Sequence, residues 1–378
     1  MAQPRHQQVC LSDTPWYHVV SRCVRRAFLC GRDQLTGMDY GHRRGWIEER
    51  MLALSGIFAV DIAAYAVMSN HYHIVLRIDA SRGMQWGTNE VLTRWTQLFN
   101  GPSCVQNYLE KGPESLSAAE LAQVEEYATL YRARLHDLSW FMRVLNESIA
   151  RQANQEDGVK GRFWEGRFKS QALLDEKALL AAMAYVDLNP VRAGIAADLK
   201  SCEFTGIARR IRNVTKTPAL PVKTTSNTSQ TTENLDEIVS PAPLTTGTSE
   251  DHAAETGKLR SEKYLKSLQP APLMPFDPTA QFEVAIPFGF EDYLELVDTL
   301  GRCIHPMKPG HIPEKTPRLL LQMGMNTETF VTESAKMLKS FGHVIGTVES
   351  LCELAARKRK QRIRGIAIAR KVFNPKAA

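Results

Sequence analysis

The stretch "AVMSNHYHIVLRI", Ala66 to Ile78, sets two histidines one residue apart, directly after a turn and at the head of a run of β-branched and aliphatic residues. Such a run reads as a strand, in which successive side chains leave opposite faces of the sheet. His71 and His73 therefore share one face, and Tyr72 and Ile74 the other. Upstream, "VDIAAYAVM" reads as a second strand joined to the first through Ser69 and Asn70, and "WYHVVSR" (Trp16 to Arg22) as a third. "WIEERMLALSGIF" (Trp46 to Phe58) has the spacing of an amphipathic helix, and helical segments including "WTQLF" and "LSWFMRVLNESIARQANQ" lie between about Gln85 and Glu156. A short strand follows in "GRFWEGRFKSQAL", then a helix, "EKALLAAMAYVDL", that stops at "NPVRAG". Pro190 is the cause of the stop: it disfavours helical geometry at Asn189 and has no amide to extend the ladder.

The rest of the chain bounds this mixed α and β part. With 378 residues, 43% hydrophobic and 23% charged, there is room for two globular domains. From about Asn213 to Lys258 the sequence is dense in Thr, Ser and Pro and poor in aromatics, which predicts a disordered linker. Beyond it "FEDYLELVDTLGR" and "TETFVTESAKMLKSF" are spaced as helices, and "SLCELAARKRKQRIRGIAIARKVF" reads as one longer helix with a basic face. The expected organisation is residues 1–212 as one domain with a helical insertion at about 85–156, 213–258 as linker, and 259–378 as a helical extension with a basic tail. Seven scattered cysteines without a C-x-x-C pair indicate neither a disulfide framework nor a structural zinc site. A polar start and the lack of any apolar run near the roughly 18 residues of a membrane helix point to a cytoplasmic protein with no membrane partner. A net charge of +6 permits a nucleic-acid partner without requiring one.

Two imidazoles on one strand face are a natural half of a metal site, and "AYVDLNPVRAG" offers the remainder. Tyr185 and Asn189 are four apart and share a helix face, so a phenol and an amide oxygen can project into one cleft. Each also has a plain structural reading: Tyr185 as core filler, Asn189 as a helix C-cap. Together with the histidines they have a chemical logic. A divalent cation held by imidazoles and an amide polarises a phosphate, and the phenol, a poor nucleophile at neutral pH, attacks it with that electrostatic help.

These residues carry a family resemblance. "WYHVVSRCVRR", "AYAVMSNHYHIVLRI", "GRFWEGRFKSQAL" and "YVDLNPVRAG", in this order, resemble the HUH-type Y1 tyrosine transposases of the IS200/IS605 group, and most closely their REP-associated domesticated relatives. The likeness spans about Thr14 to Ala196. It implies an α+β, ferredoxin-like domain with the histidine pair on a middle strand and the tyrosine on a helix facing it. It further implies cleavage of single-stranded DNA beside REP-like hairpins, leaving a 5'-phosphotyrosine on Tyr185, with Mg2+ or Mn2+ as cofactor. By the same carry-over His71 and His73 are metal ligands, and Asn189 stands where the insertion-sequence enzymes place a glutamine. With one tyrosine, strand exchange needs a homodimer or sequential reactions.

Basic and aromatic residues add a DNA-binding expectation. In "GRFWEGRFKS", Arg162, Arg167 and Lys169 suit phosphates; Trp164 reads equally as a ring stacked on an unpaired base or as core, and Phe163 and Phe168 read more readily as core. Glu165 reads as a metal ligand or a salt-bridge partner. Arg192 is either a phosphate contact or a charge complementing a helix end. In the tail, Arg357, Lys358, Arg359 and Lys360 begin a basic run suited to backbone contact, adding affinity rather than sequence choice. Two other classes stay open: a catalytically silent DNA-binding regulator, and an RNA-binding protein using the sheet as a stacking platform. A helicase-type phosphate loop is absent and no second tyrosine clusters near Tyr185, which favours the single-tyrosine form over a relaxase.

Overall fold

The computed structural model describes residues 8–24, 29–32, 37–199, 201–216, 258–279, 281–282, 284–303, 340–361 and 363–373. Its strands are β1 (Trp16–Arg22), β2 (Val60–Val67), β3 (His71–Ile78), β4 (Lys169–Leu173) and β5 (Val344–Ile345), in the sheet order β2-β3-β1-β4-β5. All neighbours are antiparallel except β4 and β5. The turn at Ser69 and Asn70 closes through the Met68 amide, which donates to the His71 carbonyl at 2.8 Å. As expected, the protein is α+β.

Helix α1 (Arg43–Ile57) crosses from β1 to β2. Between β3 and β4 run α2 (Ala80–Gln85), α3 (Thr88–Thr96), α4 (Ser103–Lys111), α5 (Ala118–Leu135) and α6 (Leu138–Glu156). α1 and α6 lie on the same sheet face, burying Tyr17, Val19, Tyr72, Ile74 and Leu76 with Ile47, Leu54, Phe141 and Leu145. Phe58 and Phe141 meet edge to face at 5.6 Å where the two crossovers touch. Strand order 2-3-1-4 with both crossover helices on one face is the ferredoxin-like arrangement. α6 is therefore part of the basic fold, and α2 to α5 form an additional helical portion between β3 and α6. That portion has an aromatic centre of its own, in which Trp95 stacks on Phe99 and Tyr131 at 4.7 and 4.6 Å.

The second face is covered by α7 (Glu176–Asp187), with α8 (Asn189–Arg192) following at once. Here both partners are small: Ala63, Ala64 and Ala66 of β2 face Ala178, Ala181 and Ala182 of the helix, all fully buried. Small residues on both sides let the helix sit close to the strands, much as side-chain size sets interaxial distance between helices. α9 (Gly206–Lys216) starts just as close, since a Cβ on Gly206 would stand 3.2 Å from the Ala64 Cα and the Tyr65 amide.

The last segments of the chain join this same layer, whereas Leu265, just before them, belongs to the core of the first face. After α10 (Glu262–Lys266) come α11 (Phe290–Cys303), β5, α12 (Val348–Arg357) and α13 (Ile366–Phe373). Tyr293, Leu296, Leu300, Ile345 and Phe373 share one core with α7. The Asp175 carboxylate caps α7 by accepting from the Ala178 amide at 2.9 Å and also accepts from the Thr347 amide at 2.7 Å. The single long helix expected near the C-terminus is instead two helices, broken where Arg359 and Gly365 take φ of 49° and 111°. Like charges four apart, at Lys360 and Arg364, oppose continuation of the first helix. The expected helix "TETFVTESAKMLKSF" and the expected linker lie almost wholly outside the described residues.

One buried carboxylate ties α7, α9 and α11 together. Asp187 accepts from the Ile207 amide at 3.1 Å and from the Tyr293 hydroxyl at 2.6 Å, and burial pushes its pKa up to about 6. Removing one donor from a buried acceptor costs roughly 1–3 kcal/mol. Tyr293→Phe should therefore lower the unfolding free energy by about that much in urea titrations at neutral pH; an unchanged midpoint would mean that the contact contributes nothing.

Candidate active site

Register places the site residues. In the β1, β3 and β4 ladders Arg22 stands opposite His71, Val20 opposite His73 and Lys169, and His18 opposite Val75 and Gln171. Directly opposed residues point to one side. Arg22, His18, His71, His73, Lys169 and Gln171 thus all face the α7 layer, and Tyr72 faces α6, where its hydroxyl donates to Asn146 at 2.6 Å. His73 and His18 are buried and His71 is half-buried at the strand end.

α7 and α8 complete the cluster. The Tyr185 ring lies 5.6 Å from the His73 ring and 6.2 Å from that of His18, edge-on to both. The Asn189 amide nitrogen is 3.5 Å from His73 Nε2. α7 ends at Asp187, but Asn189 is helical despite the following Pro190, contrary to expectation, and the amide ladder runs on through Leu188, whose amide donates to the Ala184 carbonyl at 3.1 Å and whose carbonyl accepts from Arg192 at 3.0 Å. The four-residue spacing of Tyr185 and Asn189 survives the break, and Asn189 begins α8 instead of capping α7. The Arg192 guanidinium sits 5.3 Å from the Tyr185 ring centroid. Burial draws its pKa down to about 10, leaving it charged at neutral pH.

The imidazoles are held neutral. Burial lowers His18 to about 4; burial and then the Arg22 charge lower His71 to about 4. His73 is held well below its ordinary value by burial, its two histidine neighbours and Arg22. Neutral imidazole is the form that binds metal. His71 Nδ1 is 2.6 Å from the Asn70 side-chain oxygen, which can only accept, so the proton is on Nδ1 and the lone pair on Nε2. Among the described residues no three His, Cys, Asp or Glu side chains are arranged to hold a metal ion. The available donors are two imidazoles and the Asn189 amide, a set without negative charge. It fits a cation that completes its shell with water and phosphate oxygens, and nitrogen donors suit Mn2+ better than Mg2+.

The other candidates separate by face. Lys169 and Arg22 are exposed at the rim of the histidine face, and Arg162 and Arg167 are exposed in the loop leading to β4. Trp164, a candidate for stacking on a base, packs instead against Tyr72 at 5.7 Å and Phe163 at 5.0 Å, and its indole N–H donates to the Asn146 carbonyl. That places it on the sheet face away from the histidines. Phe163 and Phe168 are buried, and Glu165 is exposed, its amide bonded to the Arg22 carbonyl. In the tail, Lys358 pairs with Asp13 and Arg357 donates to the Ser12 carbonyl, while Arg359 and Lys360 are exposed. Sequence reasoning missed His18, Gln171, Asn70 and Arg22. Alternation along "WYHVVSR" does put His18 and Arg22 on one face, but a single strand does not say which face holds the chemistry.

A pH dependence follows from the lowered histidines. The unfolded chain takes up protons near pH 6.5, whereas folded His18 and His71 resist protonation down to about pH 4. Their contribution is fully present above pH 6.5 and is lost as pH falls through about 4. In EDTA the urea midpoint should drop between pH 7 and 5, and less steeply in His18→Gln; equal slopes would count against the buried neutral state of His18.

A solved structure described as a REP-associated tyrosine transposase bound to a REP hairpin is 15% identical to this chain, with a TM-score of 0.32, covering 60% of this chain and 96% of that one. No family model and no curated protein matches. Among the described residues, no helix is long and apolar enough to cross a membrane.

Proposed function

We propose that this chain is a single-stranded DNA strand-transfer enzyme that cuts and rejoins a strand beside hairpins through Tyr185, with Mn2+ or Mg2+ held by His71, His73 and Asn189. One observation carries this: a phenol, two neutral imidazoles and an amide from three elements converge on one patch of the sheet. The Tyr185 hydroxyl gives up its proton as its oxygen attacks the scissile phosphorus, the bond to the 3' oxygen breaks, and that oxygen takes up a proton, so the step is proton-neutral overall. The products are a 5'-phosphotyrosine and a free 3'-hydroxyl, and the reverse attack restores the strand. A bound cation supplies polarisation of a non-bridging phosphate oxygen. In rejoining, Tyr185 is the leaving group, and the Arg192 charge over its ring supports that departure. Arg22 and Lys169 flank His71 and His73 and suit the neighbouring phosphates, with Arg162 and Arg167 beyond them. The hairpin and the REP-like target follow from the motif resemblance, and strand exchange would use a second copy or successive reactions.

The rival readings fare less well. Helices cover most of both faces of the sheet, and the part left open at Arg22, His71 and Lys169 carries cationic and imidazole groups instead of the row of rings that a base-stacking platform of the RNA-binding kind uses. A silent regulator has no need of a tyrosine set against two metal-competent imidazoles.

Labelled hairpin oligonucleotides incubated with the protein and Mn2+ should give a covalent adduct on denaturing gels, lost in EDTA and in Tyr185→Phe. Adduct formation by the phenylalanine variant would move the nucleophile elsewhere; binding without adduct under any metal would favour the regulator. Lys169→Ala and Arg22→Ala should each weaken single-strand binding and reduce the slope of log affinity against log salt by roughly 0.7. A slope unchanged in both would remove them from the interface.

A further inference from the structure

Behind His73 runs a chain of hydrogen bonds that crosses β1 and β4 and ends on the C-terminal segment. His73 Nδ1 is 2.9 Å from His18 Nε2, and His18 Nδ1 is 3.1 Å from the Gln171 side-chain oxygen. The Gln171 amide nitrogen donates to the Gly342 carbonyl, beside the start of β5. His18 is 2% exposed, and its ring plane lies 9° from that of His73 with the centroids 5.2 Å apart, so the two rings meet end to end through the facing nitrogens.

The direction of this chain is fixed from its far end. A backbone carbonyl can only accept, so the nitrogen of the Gln171 amide faces Gly342 and its oxygen faces His18. That oxygen also only accepts, so His18 carries its proton on Nδ1 and presents the Nε2 lone pair. His73 must then carry its own proton on Nδ1. Its remaining nitrogen, Nε2, is left with a lone pair on the side where Asn189 lies at 3.5 Å. His71 reaches the same tautomer through Asn70.

We propose that His18, oriented by Gln171 and the Gly342 carbonyl, is a positioning residue that locks His73 in the Nδ1–H tautomer and so aims its Nε2 lone pair at the cation. Its affinity consequence rests on the reading of His73 as a metal ligand; the tautomer itself does not. Outer partners of ligating histidines are worth roughly 10–100-fold in metal affinity. The arrangement also makes a segment more than 150 residues beyond β4 part of the support of the site.

The test uses the full chain. Long-range 1H–15N correlation spectra of the metal-free protein report which ring nitrogen of His73 is protonated, and calorimetric titration with Mn2+ alone reports affinity. Wild type should show Nδ1–H on His73. His18→Gln keeps both bonds, with its amide oxygen accepting from His73 and its nitrogen donating to Gln171, so affinity should stay within about 3-fold. His18→Phe should lose about 10-fold or more. Should His18→Phe fail to fold by circular dichroism, Gln171→Met removes the orienting acceptor farther from the ligand and should show His73 as a tautomer mixture. Nε2–H on His73 in wild type overturns the proposal, as does equal Mn2+ affinity in wild type, His18→Phe and Gln171→Met. If wild type binds no Mn2+ yet shows Nδ1–H that is lost in Gln171→Met, the relay stands and the metal reading falls.

Discussion

The close seating of α7 on the alanines of β2 is the constraint on which the rest depends. A helix carrying Tyr185 can bring a phenol within reach of His73 only if the layer between helix and sheet is thin. Ala63, Ala64 and Ala66 below and Ala178, Ala181 and Ala182 above provide that thinness. Small side chains bury little area each, so this layer gains less from apolar burial than one built of leucine and isoleucine. Compensation comes from its borders. The Asp175 carboxylate holds the start of α7, and Asp187 holds its end through hydrogen bonds from α9 and α11. The helix is fixed at its two ends by polar contacts and in its middle by proximity, a combination that favours accurate placement over maximal burial.

Much of this was legible in the sequence because it rests on local rules. The period of two in "HYHIVLRI" assigned the faces of His71 and His73, and the spacing of four put Tyr185 with Asn189. β1 was placed at Trp16–Arg22 from its β-branched and aromatic content alone. What escaped is what depends on register between distant strands. Nothing in "WYHVVSR" says that His18 will lie between Gln171 and His73, because that requires the antiparallel pairing of β1 with both β3 and β4. The placement of Trp164 is not legible for a related reason. Its basic neighbours suggested a nucleic-acid surface, but the chain turns at that point and lays the indole on Tyr72, on the opposite face. The C-terminal helices were legible as helices and not as part of the sheet layer, since a two-residue parallel strand such as β5 leaves almost no periodic signal.

The histidine cluster carries an energetic cost, because burial takes the imidazoles out of water. Buried imidazoles resist protonation and are best satisfied when both nitrogens are bonded. His18 meets that condition, with Nε2 toward His73 and Nδ1 toward Gln171. His73 does not meet it fully, because the Asn189 amide is at 3.5 Å, near the limit of a hydrogen bond. An apolar pair in these two positions would serve the core better. Sites where local satisfaction is incomplete while everything around is well packed are where chemistry is expected.

The same logic explains why the C-terminal segment is built into the sheet instead of being appended to it. β4 would otherwise be an edge strand, with unpaired backbone groups beside the residues that orient His18. β5 covers that edge, and the Gly342 carbonyl, one residue before His343 and β5, receives the Gln171 amide. Arg364 packs over Gly342, so a basic residue of the tail stands above the far end of the hydrogen-bonded chain. A small ferredoxin-like sheet with a shallow alanine layer has little rigidity of its own to hold two imidazoles in fixed tautomers. Closing the edge with a later segment of the chain supplies it, and it links the precision of the site to the folding of the whole protein.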